Sequence, residues 1–243
     1  MKIIDGICYV SRDRRPGLTG EQLLVSMDEN KIDKAVLCCD GRYAAADFCE
    51  GNDYIHSLLQ EHPDRFYGFA TANPWFGTRA LREMETRLKQ GFHGLFFNPL
   101  CQGFMINDSI IEPFMALCEA YAVPVYFRTG TPVSAMPFLV LSLARKFPGV
   151  RFIIGQMGAN DYIGDAFACV EQAENIYLDC SLNLTVNLRN ASRLYADRMI
   201  FGSSSPRSLQ EFELKKLRQG VTDETALRKI LSENLLRILG GKR

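Results

Sequence analysis

Residues 94–129 read GLFFNPLCQGFMINDSIIEPFMALCEAYAVPVYFRT, and this stretch decides the fold of the chain. Its two ends, Gly94–Pro99 and Pro124–Thr129, are short apolar runs of the kind that form strands buried on both faces. Between them, Pro113 suits a first helical turn. Apolar residues then follow at the spacing of an amphipathic helix: Phe114, Leu117, Cys118 and Tyr121. The stretch therefore predicts a strand, a helix and a second strand.

The same alternation extends along the whole chain. Eight apolar segments recur at the length of one βα unit, roughly 30 residues. They are Lys2–Val10, Lys34–Cys39, Phe66–Ala72, Gly94–Pro99, Pro124–Thr129, Arg151–Gln156, Ile176–Ser181 and Met199–Ser204. A last amphipathic stripe predicts a C-terminal helix. It consists of Leu227, Ile230, Leu231, Leu235 and Ile238, closed by Gly240 and Gly241.

Eight strands, each followed by a helix, fit two architectures. A closed (β/α)8 TIM barrel takes about 250 residues, close to the length of this chain. An open doubly wound sheet usually carries GxGxxG after its first strand, and no such glycines follow Val10. The pattern therefore favours a single α/β TIM-barrel domain over residues 1–243, because no linker interrupts it.

Composition and charge exclude several classes of protein. The 243 residues include 28 Lys and Arg and 28 Asp and Glu, so the zero net charge gives no support to nucleic-acid binding. The longest nearly apolar stretch, 135–144, is far shorter than the roughly 20 residues that cross a bilayer, so no membrane partner is expected. The eight Cys contain no CxxC pair, which favours reduced thiols in a cytoplasmic protein.

Chemistry in such a barrel is expected at the C-terminal ends of the strands. Because side chains alternate along a strand, an inward Tyr9 predicts that Ile7 and Asp5 also face the interior. Asp5, Asp40 and Asp179 are the candidate general acid or base groups at or near these strands. No nucleophile is indicated, since no His lies at a strand end to activate a Cys or Ser.

Seven segments resemble the amidohydrolase superfamily. They are IIDGICYV (3–10), HPDRFYGFA (62–70), GFHGLFFNP (91–99), VPVYFRTG (123–130), FIIGQMG (152–158), IFGSSSP (200–206) and LSENLLRILG (231–240). Their order and spacing are similar to those of the amidohydrolase-2 branch, which includes decarboxylases and lactone hydrolases acting on small organic and aromatic acids. The resemblance covers nearly the whole chain and implies a TIM barrel of the metal-dependent-hydrolase type.

The resemblance also implies where metal ligands would lie, and this chain departs from the family at every such position. It has Ile7 and Tyr9 for the first-strand His-x-His pair, Phe96 and Asn98 for a fourth-strand Lys and His, Arg128 and Gln156 for two later His, and Ser204 for the last-strand Asp. A catalytic zinc needs about three lone-pair ligands. A guanidinium about 4 Å from a divalent ion repels it by roughly 8 kcal/mol at an effective dielectric of 20. No metal and no cofactor are therefore expected.

An unorthodox metal site remains an alternative. Its ligands would be Tyr9, Gln156, Asp5 and Asp179. The three histidines do not add to this set, because His56 lies in a helical stretch, His62 at a helix end and His93 in the turn before a strand. All three are expected away from the pocket.

Arg128 is the most informative of these residues, because a buried cation is costly without a partner. One candidate partner is Asp5, as an internal ion pair. The other is the carboxylate of a bound small organic acid, which a guanidinium holds with two parallel hydrogen bonds. Around Arg128, the expected ligand-binding residues are Tyr9, Asn98, Tyr126, Gln156 and Ser204. Arg207, in the loop after the last strand, is either a second anion contact or a solvated loop residue.

Several functions remain open at this stage. The first is a metal-free, catalytically degenerate homologue that binds a small organic acid or serves a partner protein. The alternative is an active hydrolase or decarboxylase that cleaves a C–O, C–N or C–C bond of a small organic acid, ester or lactone at a non-standard site. A homodimer formed through outer helices is an open possibility.

Overall fold

The computed structural model describes residues 1–12 and 17–240, so the predicted cap at Gly241 lies outside the described residues. The strands are β1 (Ile4–Tyr9), β2 (Lys34–Cys38), β3 (Phe66–Ala70), β4 (Gly94–Phe97), β5 (Val125–Arg128), β6 (Phe152–Gly155), β7 (Ile176–Asp179) and β8 (Met199–Ile200). Each of the eight predicted segments contains one of these strands. The predicted segment exceeds the observed strand most at β8, which ends at Ile200 instead of Ser204. Ser204 has a φ of +56° and cannot continue an extended strand.

The strands form one parallel sheet in the order of the sequence, from β1 to β8. Backbone hydrogen bonds join the last segment to the first: Gly6 N donates to Phe201 O at 2.8 Å, and Tyr9 N donates to Ser205 O at 2.8 Å. These bonds close the sheet, which confirms the predicted (β/α)8 TIM barrel.

Helices surround the barrel. They are α1 (Gly20–Glu29), α2 (Arg42–Ala45), α3 (Phe48–Glu61), α4 (Thr78–Lys89), α5 (Pro99–Gln102), α6 (Glu112–Ala120), α7 (Pro137–Lys146), α8 (Ile163–Gln172), α9 (Thr185–Tyr195), α10 (Gln210–Gly220), α11 (Glu224–Arg228) and α12 (Asn234–Leu239). The predicted helix after Pro113 is α6. None of the helices in the described ranges is long and apolar enough to cross a lipid bilayer.

The apolar residues divide into two layers, as the period of a strand requires. One layer fills the space between the sheet and the helices and includes Leu37, Phe97 and Phe127. The other fills the barrel interior and consists of Ile4, Ile7, Tyr9, Val36, Cys38, Phe69, Phe96, Tyr126, Ile153, Tyr177 and Ile200, with Leu235 and Ile238. The interior is therefore a packed core, and a ligand site in such a barrel is expected above it, at the strand ends.

The C-terminal apolar stripe serves both layers. Leu235 and Ile238 of α12 pack into the interior cluster, whereas Ile230 and Leu231 belong to the outer layer. Ile230 and Leu231 lie within a π-helical turn at Lys229–Glu233, and Leu235 and Ile238 follow it in α12. A π-helical turn adds one residue to the helical repeat. It therefore changes the direction in which the apolar side chains point, from the outer layer at Ile230 to the barrel interior at Leu235.

Candidate ligand-binding site at the barrel mouth

A cavity of about 70 Å³ lies where β4, β5 and β6 end. Its lining residues are Asn98, Leu100, Arg128, Thr129, Thr131, Ala135, Gln156 and Ala159. Three of the residues predicted to bind a ligand, namely Asn98, Arg128 and Gln156, are thus brought together. Larger grooves of about 310 to 420 Å³ are lined mainly by residues of the outer helices and their connecting turns, and we assign no chemistry to them.

Arg128 is the last residue of β5, and its partly buried side chain lines this cavity. Within residues 1–12 and 17–240, its guanidinium has no hydrogen bond or ion pair with another protein group. Partly buried cations are normally paired, because desolvation of a charge is costly. The side chain therefore presents unused donors to the cavity.

The prediction that Asp5 faces the interior, and with it the Asp5–Arg128 ion pair, is wrong. The register of β1 against β2 shifts between Asp5 and Cys8, so the alternation of side chains is interrupted before Ile7. Asp5 instead lies in the layer below α10, where its carboxylate accepts hydrogen bonds from Ser203 N and Gln210 Nε2, both at 2.8 Å. Burial raises the pKa of Asp5, and these bonds oppose the rise. The Asp5 carboxylate therefore joins β1 to the loop after β8 and to α10, away from the barrel mouth.

Arg207 reaches back across the mouth to the end of β2. Its Nη2 forms an ion pair with Oδ2 of Asp40, whose side chain is fully buried. The other carboxylate oxygen, Oδ1, accepts a hydrogen bond from Asn98 Nδ2 at 2.7 Å. Arg207 is thus a partly exposed loop residue whose charge is neutralised by Asp40.

Tyr9 lies under this ion pair. The Arg207 guanidinium is 5.0 Å from the centroid of the Tyr9 ring, and the Phe96 ring packs against the ring of Tyr9 edge-on at 5.8 Å. The Tyr9 hydroxyl is buried and has no hydrogen-bond partner in the described part of the chain. Burial raises the pKa of Tyr9 well above its usual range, although the charges of Arg207 and Arg128 act in the opposite direction. Tyr9 therefore stays a neutral phenol that can donate a hydrogen bond.

Gln156 sits at the start of an unusual backbone segment. Residues 156–160 all have positive φ angles, from +43° at Met157 to +78° at Gly158. Four of these five residues are not glycine, and the left-handed conformation destabilises each of them by roughly 1–2 kcal/mol. The segment places Gln156 Nε2 in a buried position without a hydrogen-bond partner. Strain of this kind is concentrated at functional sites.

Asp179 organises the floor beside the cavity. Its Oδ2 accepts hydrogen bonds from Tyr126 Oη at 2.7 Å, Ser181 Oγ at 2.6 Å and Gln156 N at 2.9 Å. Ser181 Oγ in turn lies 2.9 Å from Ser204 Oγ. Tyr126 and Ser204, both predicted to bind a ligand, therefore belong to this network. Burial raises the pKa of Asp179, but its oxygens are already occupied, so it positions Gln156 and has no oxygen left for a ligand.

The three histidines lie away from the mouth, as expected. His56 stacks on Phe92, and His93 Nδ1 accepts a hydrogen bond from Gly68 N at 3.3 Å. Strand-end reasoning missed other members of the site, because they lie in loops beyond the strands: Leu100, Thr131, Ala135 and Ala159. No pattern of spacing identifies such residues before the loops are placed.

Comparisons with known proteins agree with this architecture. Residues 38–241 match the profile of a protein family described as amidohydrolase. A search of curated proteins finds no match. Among solved structures, the chain is similar to 5-carboxyvanillate decarboxylase from Sphingomonas paucimobilis, with a TM-score of 0.80 and 16% identity over 98% of this chain and 99% of that one.

Two further solved structures show the same likeness. Dihydroxybenzoic acid decarboxylase from Polaromonas sp. JS666, with bound manganese and the inhibitor 2-nitroresorcinol, gives a TM-score of 0.78 and 20% identity over 100% of this chain and 98% of that one. A 2,6-dihydroxybenzoate decarboxylase complexed with 2,6-dihydroxybenzoate gives a TM-score of 0.79 and 19% identity, with 98% of each chain covered. At these identities the likeness establishes the fold alone.

The residues at the mouth do not fit a divalent metal ion. In the part of the chain that the structure describes, no three His, Cys, Asp or Glu side chains lie close enough together to hold one. Asp40 is occupied by Arg207 and Asn98, and the unpaired Arg128 would repel a cation. The alternative ligand set that included Asp5 is not assembled either, because Asp5 lies in the outer layer.

Proposed function

This chain belongs to the amidohydrolase family, and we propose that it acts on a small organic acid whose carboxylate binds Arg128 at the barrel mouth. The observation that carries the proposal is the guanidinium of Arg128, which lines the cavity and has no carboxylate partner among residues 1–12 and 17–240. A ligand carboxylate supplies the missing charge and accepts two parallel hydrogen bonds.

The polar groups left without partners at the mouth support an acceptor-only ligand. Arg128 and Gln156 Nε2 are donors, and neither is a hydrogen-bond acceptor at those atoms. Tyr9 lies under Arg207 and does not line the cavity, so it is not one of these donors. An ionised carboxylate has only acceptor sites and matches this set. Asn98 is already committed to Asp40, so it positions that carboxylate and adds no free donor.

Family membership favours bond cleavage over binding alone. The structural neighbours include decarboxylases of aromatic acids, and two of them bind small aromatic ligands. We therefore place a hydrolase or carboxy-lyase activity on a small organic acid first. In such a site Arg128 and Gln156 would bind and orient the carboxylate. The process would proceed without a metal, since the donor set does not fit one.

A binding protein without turnover is the second candidate. It is favoured by the chemistry of the mouth, where the carboxylates of Asp40 and Asp179 are both occupied and no activated nucleophile is present in the described ranges. Both candidates share the Arg128 carboxylate site, so one experiment tests the site and a second measurement separates the activities.

The site is tested by calorimetric titration of benzoate into the purified full-length protein in the presence of EDTA. We expect saturable binding that Arg128→Gln weakens by roughly 10- to 100-fold, the value of a charge-assisted hydrogen bond. Arg218→Gln removes the same charge from an exposed position on α10 and should leave the affinity unchanged. Equal binding by the two variants, or binding only after manganese is added, would overturn the proposal.

Turnover is measured on the same preparation with EDTA present. A panel of aromatic carboxylates is followed by release of CO2, and a panel of aryl esters and lactones by release of acid. Turnover that Arg128→Gln abolishes supports the enzyme. Binding without any turnover supports the second candidate.

A further inference from the structure

One side of the barrel mouth is apolar and open to solvent. Four side chains in the loops after β3, β4 and β5 are exposed: Trp75 by 60%, Leu100 by 53%, Met105 by 44% and Val133 by 62%. We refer to these four residues as the apolar shelf. Single exposed apolar residues are ordinary, but a group next to a polar cavity marks a binding surface more often.

Hydrogen bonds fasten the three loops of the shelf to one another. Trp75 Nε1 donates to Gly103 O at 2.9 Å, which ties the β3 loop to the β4 loop. Ile106 N donates to Ser134 O at 3.1 Å, which ties the β4 loop to the β5 loop. Helix α5 also contacts the turn at Val133–Ala135. The loops that carry the apolar shelf are therefore joined to one another by hydrogen bonds.

The cavity beside the shelf is too small for a whole organic acid. Its volume is about 70 Å³, whereas a cavity that holds benzene measures about 150 Å³. It accommodates a carboxylate group, and the rest of the ligand must lie outside. Leu100 lines the cavity and is also half exposed, so it connects the cavity to the apolar shelf.

The side of the mouth formed by Asp40 and Arg207 is polar among the described residues. There the buried Asp40 pairs with Arg207, whose guanidinium covers the ring of Tyr9. An apolar group placed on this side would desolvate an ion pair without replacing its hydrogen bonds. A ligand held at Arg128 is therefore directed toward the shelf.

From this arrangement we infer that the substrate class is monocarboxylic acids with an extended apolar body, and that the apolar shelf holds that body. The inference rests on the proposed carboxylate site at Arg128. One carboxylate is expected because, among residues 1–12 and 17–240, Arg128 at the mouth lacks a carboxylate partner whereas Asp40 already neutralises Arg207. The apolar body contributes affinity in proportion to the area it buries on the shelf.

The inference is tested with straight-chain carboxylates from acetate to octanoate, titrated into the full-length protein in EDTA. Affinity should rise by about two- to fourfold for each added methylene, as expected for burial of CH₂ groups. Leu100→Ser should lower the affinity for octanoate by about tenfold and leave that for acetate within twofold. Leu194→Ser, which removes an equally exposed leucine from the end of α9, should change neither.

The outcomes separate the two proposals. If acetate fails to bind, or binds equally well to Arg128→Gln, the carboxylate site itself is wrong. If acetate binds through Arg128 but affinity does not depend on chain length, the apolar shelf is wrong, as it is if Leu100→Ser and Leu194→Ser act alike. Tighter binding of adipate than of hexanoate would contradict the preference for a single carboxylate.

Discussion

Asp40 and Arg207 are 167 residues apart in the chain, yet their side chains form an ion pair across the barrel mouth. The carboxylate is fully buried, and the guanidinium side chain is 31% exposed. The pair joins the end of β2 to the loop after β8, and it also covers Tyr9. It therefore links the first and last parts of the barrel at the side of the site opposite the apolar shelf.

A double-mutant cycle on this pair should show a coupling of about 1–2 kcal/mol, less than a fully buried pair because Arg207 is partly solvated. The variants are Asp40→Asn, Arg207→Gln and the double variant, measured by urea unfolding. Glu85 and Lys89, an exposed pair on α4, serve as a control with a much smaller coupling. A coupling below about 0.3 kcal/mol at Asp40 and Arg207 would show that the contact contributes little.

Arg128→Gln should leave the free energy of unfolding unchanged or raise it by up to about 1 kcal/mol. A partly buried cation without a protein partner pays for desolvation without a compensating contact, so its removal costs the fold nothing. Arg128→Lys keeps the charge and should not give this gain. Urea unfolding in a buffer free of carboxylates measures both variants. A loss above about 1 kcal/mol for Arg128→Gln would instead indicate a structural role.

Asp5→Asn should change how stability depends on pH. Burial raises the pKa of Asp5 above its ordinary value of 3.8, so the folded state holds this proton more tightly than the unfolded state does. The resulting stability is present below pH 3.8 and is lost as pH rises through the folded-state pKa. The wild type should therefore lose stability relative to Asp5→Asn as pH rises from about 3.5 to 7.

Urea unfolding at a series of pH values checks this dependence on Asp5. Asp64→Asn, the same change at an exposed turn position, is the control. A stability difference between the wild type and Asp5→Asn that stays constant across this range would refute the account.

Ala159→Gly should stabilise the protein or leave it unchanged, with a gain of up to about 1 kcal/mol. Ala159 has a φ of +55°, a conformation that costs an alanine roughly 1 kcal/mol and a glycine almost nothing. The matched change Ala116→Gly, at an exposed position in α6, should cost about 1 kcal/mol. Thermal and urea unfolding of the two variants should therefore differ in sign. A loss at both positions would mean that the left-handed segment is not strained.

The barrel and most of its strand ends could be predicted because the signal is local. Apolar runs such as Phe152–Gly155 alternate with amphipathic stretches such as Glu112–Ala120, and each is readable from consecutive residues. The same periodicity placed Arg128, Asn98 and Gln156 at strand ends, where the parallel sheet brings them to one cavity. Local rules failed at Asp5, because one shift of register in β1 reverses the side on which every preceding residue lies.

The sequence by itself determined the eight-fold alternation and the position of Asn98, Arg128 and Gln156 at strand ends. The tertiary structure alone decided the pairings: Asp40 with Arg207, Asp179 with Tyr126, and Asp5 with Gln210. It also decided that Arg128 lines the cavity and, within residues 1–12 and 17–240, has no hydrogen-bond partner. Periodicity follows from the geometry of consecutive residues. The partner of a charged side chain depends instead on which distant strands and loops come together, and on which carboxylates already accept hydrogen bonds from other groups.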